Sequence, residues 1–148
     1  MKPKSENYIT LEFLSRSANE SFARGAAACF AAQLDPTLEE LGDIKTAVSE
    51  AVTNAIVHAY PDRLGRIVIK ARILPENVLE ISVRDWGRGI PDIERARQPL
   101  YTTGGEERSG MGFTIMESFM DSLTVRSQEG RGTRVIMRRR IQPRRPVR

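Results

Sequence analysis

Ile9, Leu11 and Phe13 alternate with Thr10 and Glu12, so Tyr8 to Leu14 is predicted to be a strand. Ser17-Ala18-Asn19-Glu20 has the spacing of a capping box, in which a hydroxyl and a carboxylate three residues on satisfy each other's backbone N–H. It predicts a helix running to about Leu34. Thr37 and Glu40 repeat that spacing after Pro36, and the second helix should end near Ala59, ahead of Pro61. Arg66 to Leu74 carries Ile67, Ile69, Ala71 and Ile73 on one side, and Val78 to Asp85 carries Leu79, Ile81 and Val83. The turn Pro75-Glu76-Asn77 between them predicts an antiparallel hairpin. A glycine-rich loop, Asp85 to Pro91, leads into a long polar segment over 92–109 that opens with a short helix. Gly110 to Asp121 returns to helical spacing with Phe113, Met116 and Met120 on one side. Two last strands, about 122–128 and 132–140, flank the turn Glu129 to Gly132. Helices are not interleaved one-for-one with strands, which argues against a doubly wound parallel sheet. The order predicts an α+β fold: a two-layer α/β sandwich, with a mixed or antiparallel sheet and helices packed on one face.

At 148 residues the chain suits one core. No apolar run approaches the roughly 20 residues of a membrane span, and Met1 to Asn7 does not lead into a leader-like apolar stretch. Cys29 is the one cysteine, which excludes an internal disulfide and a thiolate metal cluster. It sits in the small apolar run Ala26 to Phe30 and is expected to be buried. These features point to the cytoplasm and to no membrane partner.

The net charge of +4 changes the picture less than its size suggests. Arg138, Arg139, Arg140, Arg144, Arg145 and Arg148 crowd the end, and without them the chain is slightly acidic. Residues 1–140 are therefore read as the folded domain and 141–148, with Pro143 and Pro146, as a solvated basic tail. No aromatic residue is interleaved with these arginines, and no direct DNA binding is expected.

Candidate chemistry begins on the second helix. Ile44, Val48, Ala51, Val52 and Ala55 form its core stripe, while Glu50, Asn54 and His58 recur every fourth residue along the stripe's margin. A polar row in that position suits the wall of a cleft. A carboxylate can take a proton from an attacking hydroxyl, and an amide oxygen is a neutral hard ligand for Mg²⁺. His58 alone makes no metal site and reads as a packed histidine. Gly87 and Gly89 after Asp85 would let the backbone approach a flat ligand closely. Gly110-Met111-Gly112 opens a helix, whose free N–H groups favour phosphate, and Arg108 and Ser109 add donors. The chain has neither a Walker-type P-loop nor a full dinucleotide-binding turn.

In order and spacing, Glu50-x3-Asn54-x3-His58, Asp85-x-Gly87-x-Gly89, Gly110-x-Gly112 and Gly132-Thr133 resemble the Bergerat-type ATP-binding fold shared by gyrase, Hsp90, histidine kinases and MutL. The likeness covers residues 8 to 140. Longer runs narrow it: Asn19 to Arg24, Gln33 to Thr37, Val48 to Ile56, Glu94 to Thr103 and Glu107 to Glu117 resemble bacterial anti-sigma factors of the F type, which are also serine kinases. The resemblance implies ATP and Mg²⁺ as cofactors. It assigns Asn54 to Mg²⁺, Asp85 to the adenine amino group, Gly87 and Gly89 to the loop near the base, and Thr133 to the adenine through Asp85 and water. Ser109, Gly110 and Gly112 would cradle the phosphates, Arg108 would sit by the γ-phosphate, and 92–109 would be the lid. Glu50 would be the base, and Arg24 would bind both partners. Those partners would be a sporulation sigma factor, which the protein would inhibit, and an anti-anti-sigma protein, which it would phosphorylate on serine; the protein itself would be a homodimer. Trp86, Arg88 and Gly104-Gly105 depart from the family's usual residues and are expected to bear on nucleotide affinity or lid closure. The alternatives are the kinase of a stress-response sigma module and a nucleotide-gated binding protein without significant kinase activity.

Overall fold

The computed structural model describes residues 4–97 and 112–143. Five strands, β1 (Asn7–Leu14), β2 (Arg66–Leu74), β3 (Val78–Asp85), β4 (Ser122–Gln128) and β5 (Gly132–Arg140), form one sheet in the order β1-β2-β3-β5-β4. Helices α1 (Ala18–Ala31), α2 (Leu38–Asn54) and α4 (Gly112–Phe119) pack together, with α2 between the other two. A four-residue helix, α3 (Ile93–Ala96), follows the glycine-rich loop.

All four ladders are antiparallel, so the sheet is antiparallel and not mixed. The connections explain why. Two helices in succession return the chain to the end of the sheet where β1 stopped, and β2 runs back beside it. Between β3 and β4 the chain crosses on α4, which leaves those two strands parallel in direction. They do not touch, because β5 lies between them and opposes both.

Alternation then sorts the side chains. Ile67, Ile69, Ala71, Leu79, Ile81, Val83, Val135 and Met137 point into the helical layer and are buried. They meet Ile44, Ala47, Val48, Ala51 and Val52 of α2, the expected stripe, and Phe113, Met116 and Met120 from α4 and its end. Each large aliphatic side chain removed from water here contributes about 1.5–3 kcal/mol.

The second capping box forms as expected: Thr37 Oγ1 accepts from the Glu40 N–H at 3.0 Å, and Glu40 Oε1 accepts from the Thr37 N–H at 2.9 Å. The first does not. Ser17 has a helical conformation and makes no side-chain cap, and the N–H groups of Asn19 and Glu20 reach the carbonyls of Arg16 and Ser17. Glu20 instead accepts a hydrogen bond from Ser49 Oγ on α2.

Cys29, expected to be buried, is exposed. The buried line of α1 is Ala23, Ala27, Phe30 and Ala31, and Cys29 falls off it. The packed body also passes the boundary expected at 140: Ile141 is fully buried, and the Gln142 N–H donates to Glu40 Oε2 at 3.1 Å.

Candidate functional site

One turn of π-helix, Ala55–Ala59, continues α2. Such turns swing the following backbone out of α-helical phase and recur at functional sites. Its last carbonyl, on Ala59, accepts from the Arg88 N–H at 3.2 Å, which pins the glycine-rich loop to the end of the helix. Tyr60 anchors the other side of that loop: its hydroxyl donates to the Arg66 carbonyl at 2.7 Å and accepts from the Trp86 N–H at 2.6 Å.

A cavity of about 350 Å³ opens between these parts, within the range of small-molecule sites. Asn54, Ala55 and His58 line it from α2 and its extension, and Val83 and Asp85 from β3. Arg88, Gly89 and Ile90 come from the loop, Gly112 and Phe113 from α4, and Thr133 and Val135 from β5. The wall is mostly apolar, with a few polar groups converging on it, which suits a flat ring with one polar edge.

Asp85 is 6% exposed at the foot of this wall. Its Oδ1 accepts from the Gly87 N–H at 3.0 Å and the Thr133 N–H at 3.2 Å. Among the hydrogen bonds of the described residues, both go to that oxygen, which leaves Oδ2 as the acceptor for a ligand's N–H. Burial pushes the carboxyl above its ordinary value of 3.8, against the lowering effect of the two N–H donors. The folded state thus binds a proton more readily than the unfolded chain, and this carboxyl costs stability as pH rises from 3.8 through its raised value. Asp85→Asn, whose amide oxygen keeps both N–H donors, is expected to resist urea better than the parent at neutral pH. The difference should close as pH falls through that window, and a pH-independent difference would contradict a burial penalty on the carboxylate.

Thr133 is fixed in turn by Ser127 of β4, whose hydroxyl lies 2.8 Å from Thr133 Oγ1 and accepts from the Ile90 N–H at 2.7 Å. Sequence reasoning missed Ser127. Its signal is there, because it is a polar residue at an inward position of β4, as Asp85 is on β3 and Thr133 on β5.

The glycines serve the frame before the ligand. A Cβ on Gly87 would stand 2.3 Å from the Ala59 carbonyl oxygen, and one on Gly89, at φ +77, would stand 2.3 Å from that of Gln128. Both close approaches are to backbone, and only Gly89 reaches the cavity wall. A Cβ on Gly112 would lie 3.0–3.1 Å from the Asn54 amide, so the opening of α4 rests directly on that side chain.

Glu50 is half-buried one turn before Asn54 and does not line the cavity. Arg24 lies on α1, 3.6 Å from Glu20, and α1 contributes nothing to the cavity wall. Trp86, expected to affect nucleotide affinity, is also off the wall: it turns to the sheet's other face, with Arg66 3.8 Å and Arg84 4.7 Å from its ring. Arg108, Ser109, Gly110 and Gly104-Gly105 lie outside the described residues.

The residues present fit both expected cofactors. Asn54 presents an amide to the cavity, and no cluster of three metal-binding side chains exists among the described residues. The Asn54 oxygen would suit a divalent ion held otherwise by phosphates and water, the habit of Mg²⁺. No described helix is long and apolar enough to cross a membrane.

The family model of the histidine kinase-like ATPase domain matches residues 13–139. The chain is 60% identical over 136 residues to the anti-sigma F factor of Caldanaerobacter subterraneus subsp. tengcongensis, covering 91% of this chain and 94% of that one. It is 57% identical to the anti-sigma F factor of Geobacillus kaustophilus, with 91% and 93% covered. Among solved structures, the RsbU and RsbW domains of Rv1364c from Mycobacterium tuberculosis superpose with a TM-score of 0.69 at 21% identity. That match covers 96% of this chain and 34% of that one, and it bears on the fold alone.

Proposed function

The chain belongs to the anti-sigma F factors of the histidine kinase-like ATPase family, and from that premise we propose that it is an ATP-dependent serine kinase that holds a sporulation sigma factor inactive and phosphorylates the anti-anti-sigma protein competing with it. The observation that carries the nucleotide half of this reading is the buried Asp85, anchored through one oxygen by Gly87 and Thr133 at the foot of the cavity. A carboxylate so placed accepts from an exocyclic amino group, as on adenine, and repels the carbonyl of guanine.

In this reading the chain's own groups divide the task. Val83, Ile90, Phe113 and Val135 surround the ring and exclude water from its faces. Asn54, braced by Gly112, presents its amide oxygen where the phosphates leave the cavity. Mg²⁺, when bound there, supplies charge to the phosphate oxygens as negative charge shifts toward the leaving group. Ser109 and Gly110 are assigned to the phosphates and Arg108 to the γ-phosphate, where a guanidinium would stabilise the transferring group. Glu50 takes the proton of the incoming serine. Arg24 is assigned to partner binding, with the protein acting as a homodimer.

The test is incubation with Mg²⁺, labelled ATP and an anti-anti-sigma protein. Label is expected on one acceptor serine. Asn54→Ala is expected to weaken Mg²⁺-dependent ATP binding about tenfold or more, the loss of a contact worth about 1.5–3 kcal/mol. The alternative is a nucleotide-gated binder without transfer. An acceptor that stays unlabelled while ATP binds tightly would establish that reading in place of the kinase.

A further inference from the structure

The face of the sheet turned away from the helices has no described layer over it, and its charge is lopsided. Arg84 of β3, Arg134 of β5 and Arg126 of β4 stand directly opposite one another across three adjacent strands, in one row. Adjacent strands are about 4.8 Å apart, so three guanidinium stems share roughly 10 Å of surface. Like charges in direct opposition destabilise a sheet, and Arg126 and Arg134 have no ion pair among the described residues. The two acids of this face are already matched. Glu80 takes Arg72 at 2.6 Å and Arg138 at 2.7 Å, and Glu12 lies 3.6 Å from Arg66. Lys70, one row along, lies 5.3 Å from the centre of the Tyr8 ring.

From this we infer that the open face of the sheet is a sequence-independent binding surface for the phosphate backbone of nucleic acid. Protein–protein interfaces are depleted of charge at their centre, whereas this face carries Arg134 on β5, in the interior of the sheet, between Arg84 on β3 and Arg126 on the edge strand β4. Nucleic-acid interfaces are polar and strongly positive. Arginine's planar fork matches phosphate oxygens, and the row sets three such forks side by side across adjacent strands. The one indole of the face, Trp86, is occupied by Arg66 and Arg84, so it offers no free ring to stack on a base. Binding is therefore expected to read charge and not sequence, and it reverses the expectation of no DNA contact drawn from the tail alone.

The test uses the full chain and a fluorescent mixed-sequence DNA duplex, read by anisotropy across a salt series. The logarithm of affinity is expected to fall linearly with the logarithm of salt concentration, and each of Arg84→Gln, Arg126→Gln and Arg134→Gln to reduce that slope by about 1. The triple variant should bind ATP as the parent does, since the cavity lies on the other face. Three results would each overturn the proposal: binding that survives the triple variant but vanishes in Arg144→Gln/Arg145→Gln/Arg148→Gln, which assigns it to the chain end; polyglutamate competing as well as the duplex at equal charge, which makes the partner an acidic protein; or a changed sedimentation coefficient in the triple variant with DNA affinity intact, which makes the face an interface between copies.

Discussion

Glu50→Gln is expected to cut serine phosphorylation by about 10²–10⁴-fold, the usual worth of a positioned general base, while ATP affinity stays within a few-fold of the parent. The split follows from position. Ala51, Asn54 and Ala55 line the cavity from α2 and its extension, and Glu50, about 6 Å along the axis before Asn54, stands off the cavity wall. An acceptor serine attacks the far side of the γ-phosphate, so its base belongs beyond the nucleotide and not around it. Glutamine keeps the size and polarity of the side chain and removes only its capacity to take a proton. Equilibrium nucleotide binding and single-turnover transfer, measured on the same preparation, separate the two effects. Equal losses in both would mean that Glu50 shapes the site, and transfer at the parent's rate would mean that another group takes the proton.

Gly132→Ala is expected to destabilise the fold by about 3–5 kcal/mol, enough to consume much of the 5–15 kcal/mol of a typical domain. Gly132 has φ +105, where a Cβ is strained, and that Cβ would stand 2.1 Å from the Asp85 carbonyl oxygen and 2.7 Å from the Trp86 Cα. Both obstacles are backbone, so no rotamer can relieve them. Gly130, in the same turn, is the control. Its φ is +81, but nothing lies within 4 Å of the added Cβ, and Gly130→Ala should cost only the conformational term of about 1–2 kcal/mol. Urea unfolding of the pair tests this. Equal midpoints would show that the loop gives way and that the close approach of β5 to the end of β3 is not fixed.

Alternation made the strands legible. Strands β4 and β5 fall where the pattern put them, and the inward residues of β2 and β3 are buried. The second capping box was legible because all its partners lie within four residues. The first carried the same letters and failed, because a partner 29 residues away, Ser49, took Glu20. Distance along the chain sets this limit elsewhere too. The row Arg84, Arg134 and Arg126 has no local signature and exists only in the register of three strands. The spacing of Glu50, Asn54 and His58 assumed one unbroken α-helix, and the π-turn from Ala55 changes the phase before His58. Gly87 and Gly89 were read as space for a ligand. The structure shows them first as space for the Ala59 and Gln128 backbones, which share no motif with that loop.

The place of β5 in the sheet sets the order in which a nascent chain can become competent. It is the latest of the five strands along the chain, yet it is seated between β3 and β4. A chain that has emerged only as far as β4 leaves β3 with an unpaired edge, the kind of edge on which misassembly begins. It also lacks the Thr133 N–H that orients Asp85. Nucleotide cannot be held in its final pose until that strand threads into the gap. A cofactor that waits for the last strand then acts as a seal on a finished sheet: partial products neither bind it nor gain its stabilisation, and they stay open to proteolysis.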